Sequence, residues 1–345
     1  MTRRKRIALI GLGMAVTPHA KSLVDLADKV EVVRAISPSP QRRQAFAERF
    51  AFALGDRLEP VLQDGNVEIA AVLTPPNTHL EIVSALARAG KHILLEKPLE
   101  VASQRAEELV RVCAEAGVTL GVVLQHRFKP AAERLAAILK AGGLGQIVSA
   151  SASIRLWRPQ SYYDEPGRGS LARDGGGVLL TQGIHTLDLL LSLAGPALEV
   201  CGYAATTAVH RMETEDLVCA AVCFASGAVG VIEATTAAYP GAPERIELVG
   251  TLGTATLAGT ALGVAYQDGR LEEVAADASA GGTGADPMAF PHDYHLGVWR
   301  DFLAAVDERR PPRVSGPEAL RVQLLIDALL AAAASHGKVK VCLGR

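Results

Sequence analysis

A glycine turn near the amino terminus is the first feature whose residue types imply chemistry. Gly11-Leu12-Gly13 follows the apolar run Ile7–Ile10, and a helical pattern begins a few residues later. In such a turn the first glycine permits the tight bend and the second lets an anion approach the backbone, while the helix N-terminus adds N–H donors. Val16 stands where a third glycine or alanine is usual, so a plain strand–turn–helix remains the alternative. The strand–helix–strand context favours a bound dinucleotide, with Met14 and Ala15 also in contact with it.

The residues after the second apolar run, Val30–Ile36, bear on which dinucleotide would bind. An acid normally stands here in sites that prefer NAD, where it binds the ribose 2′-hydroxyl. Residues 37–43 contain no acid; Ser37, Ser39 and Arg42 offer hydroxyls and a cation, which suit a 2′-phosphate. The pattern favours NADP and leaves NAD open, since Arg42 and Arg43 also suit a solvated helix face.

Lys97 follows the apolar run His92–Leu95, at the end of a predicted parallel strand. Ligands of parallel sheets bind at the carboxyl ends of the strands. An ammonium there can hydrogen-bond a reacting oxygen and stabilise developing alkoxide charge. Glu96 is expected to hold that ammonium, and the ring of Pro98 to stiffen the turn.

Alternating apolar runs and helical periods predict an α/β fold with a doubly wound parallel sheet in residues 1–124. The predicted strands are Ile7–Ile10, Val30–Ile36, Ile69–Leu73, His92–Leu95 and Val118–Leu124. The predicted helices are Thr17–Ala27, with Thr17-Pro18 as its cap and first residue, Gln41–Phe50, Asn77–Ala89 and Ser103–Ala116.

The rhythm changes after residue 124, and residues 125–345 are predicted to form a second α/β domain. Hairpin signals at Ser226-Gly227 and Asp268-Gly269 indicate a mainly antiparallel sheet with helices on one face. Residues 275–287 are glycine-rich and predict a loop. The remaining predicted elements are a strand over Ile147–Leu156 and helices over Pro130–Leu139, Val178–Leu193, Leu296–Asp307 and Pro317–Ser335.

Composition excludes several classes of protein. The 345 residues are 49% hydrophobic, and 35 basic against 37 acidic residues give a net charge of −2, which argues against nucleic acid as a partner. The five cysteines lack a CxxC pair, which predicts no disulfide framework and fits a reducing compartment. Cys219 and Cys223 are expected in the core. No run of about 18 consecutive apolar residues occurs, so no membrane span is expected. Basic residues 3–6 before an apolar run imitate a signal peptide, but two glycines interrupt that run and cleavage would remove the first predicted strand, so we expect a cytoplasmic protein.

Taken together, these motifs resemble the glucose–fructose oxidoreductase/inositol dehydrogenase (Gfo/Idh/MocA) family over essentially the whole chain. The Glu96-Lys97-Pro98 tripeptide, paired with the later histidine helix, is the specific part of the match. The residues that carry the resemblance are Gly11, Gly13, His19, Thr74-Pro75-Pro76-Asn77-Thr78-His79, Glu96–Pro98, Gly175–Gly177, Gly183-x-His185-x-x-Asp188, Gly250-x-x-Gly253, Arg309–Pro312 and Ser315–Ala319.

The resemblance implies an N-terminal Rossmann domain, a C-terminal domain with an open sheet, and NAD(P)-dependent oxidation or reduction of a small molecule. The expected substrates are sugars, sugar acids, nucleotide sugars or cyclitols, and the expected assembly is a homodimer or homotetramer through the open sheet face. Lys97 and His185 are the implied catalytic pair. The implied cofactor contacts beyond the glycine turn include Thr74, Pro75, Asn77, His79, Glu96 and Lys97.

His185 titrates near neutrality, so it is expected to take or return the hydroxyl proton, with Lys97 as electrostatic stabiliser. The family often has an aspartate four residues before this histidine, where this chain has Thr181 followed by Gln182. This departure puts in doubt how basic His185 is. The segment Thr181–His185 resembles the corresponding segment of the nucleotide-sugar uronate oxidases of the family.

The stretch before the triple glycine is the predicted substrate-recognition segment, because aromatic rings stack on sugar faces and arginines bind carboxylate or phosphate. Its candidates are Trp157, Arg158, Tyr162, Tyr163, Arg168 and Arg173, with Thr181, Gln182 and His185 beside them. His126 is expected to be structural. His292, Asp293 and His295 lack a metal-ligand spacing, so no metal is predicted.

Two other functions remain open from the sequence. One is a cofactor-binding regulator of the same fold without turnover, against which the presence of both Lys97 and His185 argues. The other is a reductase for dihydrodiols or imines, which would share the fold and the cofactor.

Overall fold

The apolar runs of the first third form one parallel sheet in the computed structural model, which describes residues 3–277 and 291–342. Within those residues the strands are β1 Lys5–Ile10, β2 Val30–Ile36, β3 Leu54–Gly55, β4 Ile69–Val72, β5 His92–Leu95 and β6 Leu120–Val122. They lie in the order β3-β2-β1-β4-β5-β6. The chain changes winding direction between β1 and β4, which is where such sheets open a ligand crevice at the carboxyl ends of their strands. The predicted doubly wound sheet is confirmed.

Helices connect these strands: α1 Val16–Asp25, α2 Pro40–Ala47, α3 Glu59–Gln63, α4 His79–Arg88 and α5 Ser103–Glu115, with a 3₁₀ turn at Pro76–Thr78. The predicted cap of α1 was wrong. The helix begins at Val16, one residue before Thr17, and Ala15 occupies the cap position without a side-chain hydrogen bond. Pro18 lies inside the first turn, where its missing N–H costs little because those N–H groups have no intrahelical acceptor.

The second sheet, in the described chain, contains β7 Ile147–Arg155, β8 Ala197–Ala205, β9 Leu217–Phe224, β10 Val229–Thr235, β11 Arg245–Gly250, β12 Gly253–Ala258, β13 Ala261–Tyr266, β14 Leu271–Val274 and β15 Val339–Lys340. Its order is β14-β13-β12-β11-β7-β10-β9-β8-β15. β7 and β10 pair in parallel, whereas the other neighbouring strands of this sheet, among the described residues, pair antiparallel. Gly227 and Gly269 have positive φ angles of 86° and 88° in the two predicted hairpin turns, which are confirmed.

In the second unit α6 Pro130–Lys140 comes before β7, and α7 Gln160–Tyr163, α8 Leu171–Asp174 and α9 Ile184–Ala194 lie between β7 and β8. A π turn over Leu179–Gly183 leads into α9. By length and composition, the stretch Leu171–Ala194 is apolar enough to span a membrane, but 72% of its most apolar window is buried in the protein. It is therefore a core helix of the unit.

The chain divides into two compact units, and the first of them is discontinuous. Residues 1–123 and 292–320 form one unit, and residues 124–291 and 321–345 form the other. The predicted second domain of 125–345 had included 292–320. This segment carries α10, Asp293–Glu308, and the start of α11, Gly316–Ser335. It covers the edge strand β6, because the N–H of Val122 donates to the carbonyl oxygen of Val314 at 2.9 Å.

One face of β9 disagrees with the sequence expectation. Cys219 and Cys223 do point the same way, but both are exposed, whereas Val218, Val222 and Phe224 are buried. The prediction of core cysteines was wrong because both faces of this strand are apolar, so alternation does not reveal which face the helices cover. Most of the predicted loop over 275–287 lies outside the described residues.

Candidate functional site

The glycine turn has the shape that a bound pyrophosphate requires. Gly11 has φ +101°, and a Cβ on it would lie 2.7 Å from the carbonyl oxygen of Leu73, so no side chain fits. A Cβ on Gly13 would meet nothing within 4 Å, which leaves open space beside the backbone. Met14, 58% exposed, and Ala15 follow, and the first-turn N–H groups of α1 lack intrahelical acceptors. These residues fit a dinucleotide phosphate at the helix N-terminus.

The predicted 2′-phosphate contacts lie between β2 and α2. Ser37 is buried, and the hydroxyl of Ser39 caps α2 by accepting the N–H of Arg42 at 3.3 Å. The guanidinium of Arg43 donates to the carbonyl oxygen of Ser37 at 2.6 Å, which ties it to the turn. Arg42 itself is exposed. Of the two arginines, Arg42 is the one that remains on the surface of α2.

The turn after β4 is held from below by His79. Pro75 and Asn77 are exposed, and the Thr78 hydroxyl bonds that of Thr74 at 2.8 Å. His79 is fully buried, with Nε2 2.8 Å from the carbonyl oxygen of Thr74 and Nδ1 3.1 Å from that of Leu99. Burial lowers the pKa of this imidazole. Its ring thus joins the turns after β4 and β5. The contact between His79 and the cofactor stays a prediction.

Lys97 is positioned through its backbone by a buried hydrogen-bonded chain. Glu96 accepts the N–H of Lys97 on Oε2 at 3.0 Å, and its Oε1 lies 3.0 Å from Nε2 of His19. Trp299 donates its indole N–H to Nδ1 of His19 at 3.1 Å. An indole N–H only donates, so Nδ1 is the acceptor and Nε2 carries the proton given to Glu96. Burial acts against ionisation of Glu96, but the His19 hydrogen bond together with the nearby charges of His19, His295 and Lys97 outweighs it, so the pKa of this carboxyl is lowered.

His295 is the fourth member of the buried group that contains Glu96, His19 and Trp299. The sequence did not reveal this group. Ligand-type atoms of His19, Glu96 and His295 lie within 4.8 Å of one another in the described residues. Burial lowers the pKa of His295 to about 3, and its ring meets that of His19 edge-on at 5.1 Å. A metal on Nε2 of His19 would place a proton on Nδ1, against the Trp299 N–H, so the donor set does not fit a metal ion. The available signal was the spacing of His295 and Trp299, one helical turn apart on one face of α10.

In the second unit, the start of the histidine helix depends on Gly177. The carboxylate of Glu215 accepts the N–H groups of Gly177 and Leu179 at 3.0 and 3.2 Å, where the helix dipole favours an anion. A Cβ on Gly177 would lie 1.9 Å from the carbonyl oxygen of Glu215. Burial raises the pKa of Glu215. The triple glycine therefore lets a capping acid approach the backbone.

His185 lies half-buried on α9 beside residues of the turn after β6. Its ring centroid is 5.0 Å from that of His126, with the planes tilted by 33°. Nδ1 of His126 lies 3.6 Å from Oε2 of Glu244. Asp188, one turn along α9, is bound by Arg127 through two contacts of 2.8 and 2.6 Å. Sequence reasoning had given His126 a structural role and had not named Glu244.

An arginine–aromatic layer, formed by Arg158, Tyr162, Arg168 and Gln182, adjoins the start of this helix. The Arg168 guanidinium lies 4.4 Å above the Tyr162 ring and bonds its hydroxyl at 3.0 Å. The Gln182 amide donates to the same hydroxyl at 3.3 Å. Arg158 is buried, with its guanidinium 5.8 Å from the Tyr162 ring. Rings and guanidinium groups of this kind bind sugar faces and anions.

The other predicted substrate residues are engaged within the unit. The Thr181 hydroxyl donates to the carbonyl oxygen of Gly177 at 2.6 Å and contacts the Gln182 amide oxygen. Tyr163 is buried, bonds Thr236 at 2.8 Å, and has a pKa raised by burial to about 12, so it packs the segment. Trp157 is half-buried and meets the Tyr239 ring edge-on at 5.4 Å.

Comparison with protein families agrees with both units. Residues 5–124 match the profile described as "Oxidoreductase family, NAD-binding Rossmann fold", and residues 132–256 match the "GFO/IDH/MocA C-terminal domain". The chain belongs to the Gfo/Idh/MocA family. The sequence resemblance to this family is confirmed, and with it the α/β fold and the assignment as a nicotinamide-dependent oxidoreductase.

Individual members of the Gfo/Idh/MocA family match the chain over nearly its whole length. The myo-inositol 2-dehydrogenase of Thermotoga maritima is 27% identical over 93% of this chain and 93% of its own. The WlbA dehydrogenase of Bordetella pertussis, solved with NADH and UDP-GlcNAcA, is 28% identical with a TM-score of 0.84 over 99% of this chain and 100% of its own. Levoglucosan dehydrogenase, at 23% identity and TM-score 0.88 over 99% and 100%, shares the fold.

Proposed function

We propose that the enzyme transfers a hydride between a nicotinamide dinucleotide and a hydroxyl-bearing carbon of a sugar, sugar acid, nucleotide sugar or cyclitol. The observation that carries the proposal is the buried Trp299–His19–Glu96 chain, which holds the backbone of Lys97 at the end of β5. Buried hydrogen-bonded networks of titratable groups are concentrated at functional sites, and this network converges on the turn that presents Lys97. The names of the matched dehydrogenases support the substrate class.

The dinucleotide would be held by the glycine turn and by the turn after β4. The pyrophosphate would bind at Gly11, Gly13 and the start of α1. The nicotinamide half would be bordered by Thr74, Pro75 and Asn77. When bound, the nicotinamide supplies the hydride acceptor or donor of the reaction. The remaining chemistry, which is proton movement and charge stabilisation, belongs to side chains of this protein.

His185 and Lys97 are assigned different roles in that chemistry. Oxidation of a hydroxyl requires a group that removes its proton, and a neutral imidazole is suited to this near pH 7. His185 takes that proton and returns it in the reverse direction. The Lys97 ammonium stabilises the negative charge that develops on the oxygen.

We further propose that the substrate carries an anionic group. The arginine–aromatic layer presents a guanidinium stacked on Tyr162 and an amide bonded to the same hydroxyl, which suits a sugar ring with a carboxylate or phosphate. The 28% identity to WlbA, whose structure contains UDP-GlcNAcA, supports a nucleotide sugar acid as the first compound to test. Exposed Arg42 and the absence of an acid in residues 37–43 support NADP over NAD.

The assembly proposed for the enzyme is a homodimer or homotetramer in the cytoplasm. The uncovered face of the second sheet exposes Tyr203 (74%), Val229 (55%) and Val231 (57%). An apolar surface of this kind favours association with a second copy. Sedimentation of the full chain tests the proposal, with a monomer at micromolar concentration as the contradicting result.

Cofactor titration followed by a substrate panel tests the proposed function. Intrinsic fluorescence is titrated with NADH and NADPH, and the preferred cofactor is then used with sugars, sugar acids, nucleotide sugar acids and cyclitols. Arg42→Ala is expected to weaken the binding of NADPH and to leave the binding of NADH unchanged. Arg49→Ala, at the far end of the same segment, serves as the charge-matched control. Equal effects of Arg42→Ala on both cofactors would contradict the NADP preference.

Two active-site variants separate an enzyme from a cofactor-binding regulator. Lys97→Ala and His185→Ala are each expected to lose at least about a hundredfold in kcat, as for loss of a proton-transfer group, while dinucleotide affinity is kept. Turnover that survives in both variants would refute the roles assigned here. Absence of turnover by the unsubstituted enzyme across the panel, with normal dinucleotide binding, would favour the regulator.

A further inference from the structure

We propose that His126, charged by Glu244, keeps His185 in its neutral, proton-accepting form; this rests on the proton-carrying role proposed for His185. The two imidazole rings lie 5.0 Å apart between centroids and are tilted by 33°. At this separation a positive charge on either ring disfavours a positive charge on the other. His126 therefore acts through His185 as a positioning residue.

The carboxylate of Glu244 lies beside His126. Oε2 of Glu244 lies 3.6 Å from Nδ1 of His126, and both side chains are mostly buried, at 17% and 14% exposure. An opposite charge this close favours the imidazolium form. The proton that the pair holds is therefore on His126.

The carboxylate nearest to His185 along its own helix is neutralised. Asp188 is 1% exposed and accepts both Nε and a terminal nitrogen of Arg127, at 2.8 and 2.6 Å. On the other side of His185, one turn earlier, Thr181 offers a hydroxyl that is bonded to the carbonyl oxygen of Gly177. Arg127 thus balances the charge of Asp188 on the helix that carries His185.

A second cation, Lys129, lies near Glu244. Lys129 precedes α6, is buried, and directs its ammonium to the carbonyl oxygen of Gly259 at 3.4 Å. Burial lowers its pKa, and the nearby Glu244 acts in the opposite direction. Charged side chains on the elements near the two rings include Arg127, Lys129, Glu244 and Asp188. Two carboxylates are matched by two cations, and protonated His126 adds a further positive charge.

The consequence for catalysis is a base that is ready at a lower pH. A histidine that must accept a hydroxyl proton works when it is neutral, and its ordinary pKa of about 6.5 would leave part of it charged below neutrality. A positive charge at about 5 Å shifts such an equilibrium by roughly one pH unit in a partly solvated site. His126 would therefore extend activity towards acidic pH.

Nuclear magnetic resonance titration of the full chain, labelled with ¹³C at histidine, measures the effect without turnover. The His185 signal is identified by its loss in His185→Gln. In His126→Gln the titration midpoint of His185 is expected to rise by about one pH unit. Glu244→Gln is expected to raise it in the same direction, because His126 then loses its charge, and the double variant is expected to add nothing further.

Two outcomes would overturn the proposal. One is an unchanged His185 midpoint in His126→Gln. The other is a lower midpoint in Glu244→Gln, which is the result if the carboxylate acts on His185 directly. His126→Phe keeps a ring without charge and replaces His126→Gln should that variant unfold, and His336→Gln, at an exposed histidine, is the control expected to change nothing.

Kinetics then distinguish a charge effect from a structural one. With a substrate that turns over, the acid limb of kcat/KM should move by the same amount as the midpoint, and the plateau should stay within about twofold. A lowered plateau with an unmoved limb would mean that His126 only supports packing. The titration needs no substrate, so it tests the effect of His126 independently of the proposed function. The proposed function is tested by the turnover of His185→Ala.

Discussion

The surroundings of Lys97 and of His185 differ in how they control a reactive group. Lys97 is fixed by a buried chain in which Trp299 sets the tautomer of His19 and His19 orients Glu96. His185 is half-buried and bordered by charge pairs and by the arginine–aromatic layer. A buried chain loses much when one partner is removed, since the others remain unsatisfied, whereas partly solvated contacts are replaced by water. We therefore propose that the first region sets geometry and that the second sets protonation and affinity.

The largest effect is expected at Gly177. Gly177→Ala would push a Cβ to 1.9 Å from the Glu215 carbonyl oxygen, so the start of the histidine helix must shift. We expect a loss of roughly 3 kcal/mol in the free energy of unfolding and a loss of turnover, measured by urea unfolding and by assay. Gly65→Ala, where a Cβ meets nothing within 4 Å, is the control. Full turnover in Gly177→Ala would remove the packing argument for the triple glycine.

Next in size is removal of the indole N–H from the buried chain. Trp299→Phe leaves Nδ1 of His19 without its donor, and we expect a loss of about 1–3 kcal/mol in stability with a lower kcat at nearly constant KM. Thermal unfolding and steady-state kinetics measure these changes. Trp157→Phe makes the same chemical change at a half-buried site of the second unit and should cost less. Equal losses at the two tryptophans would erase the contrast between the regions.

A third effect concerns the pH dependence of stability. The folded pKa of His295 is about 3, below its ordinary value of 6.5, so the unfolded chain binds more protons as pH falls below 6.5. The contribution of neutral, buried His295 to the free energy of unfolding is complete above pH 6.5. It is lost as the pH falls from 6.5 to about 3, at up to about 1.4 kcal/mol per pH unit. Urea unfolding at pH 7, 6 and 5 should show a shallower slope in His295→Gln. Exposed His336→Gln should keep the original slope; an unaltered slope in His295→Gln would contradict the burial argument.

The smallest effect is expected in the arginine–aromatic layer. Tyr162→Phe removes a hydroxyl bonded by Arg168 and Gln182, so KM should rise by less than about tenfold while kcat and stability stay nearly constant. Tyr266→Phe, at the edge of the second sheet, is the matched control. A large fall in kcat would mean that this layer positions the reacting atoms rather than the rest of the substrate.

Local patterns were sufficient for most of the fold. Val30–Ile36 and His92–Leu95 are strands with the predicted bounds, because short runs rich in valine, isoleucine and leucine between helical segments have few other solutions. The short β3 and α3 were missed, since two and five residues are too few to show a period. The cysteine face of β9 was misassigned because alternation specifies two faces but not which one is covered.

The sequence alone determined where chemistry is possible: the glycine turn, the Glu96-Lys97-Pro98 tripeptide and the histidine helix are each local patterns whose residue types restrict what they can do. Only the tertiary structure decided which neighbours control them. His19 and Trp299 meet across 280 residues of chain, and His126 meets Glu244 and His185 from separate elements. Such contacts arise from packing between distant segments, and the periodicity of either segment carries no information about its partner.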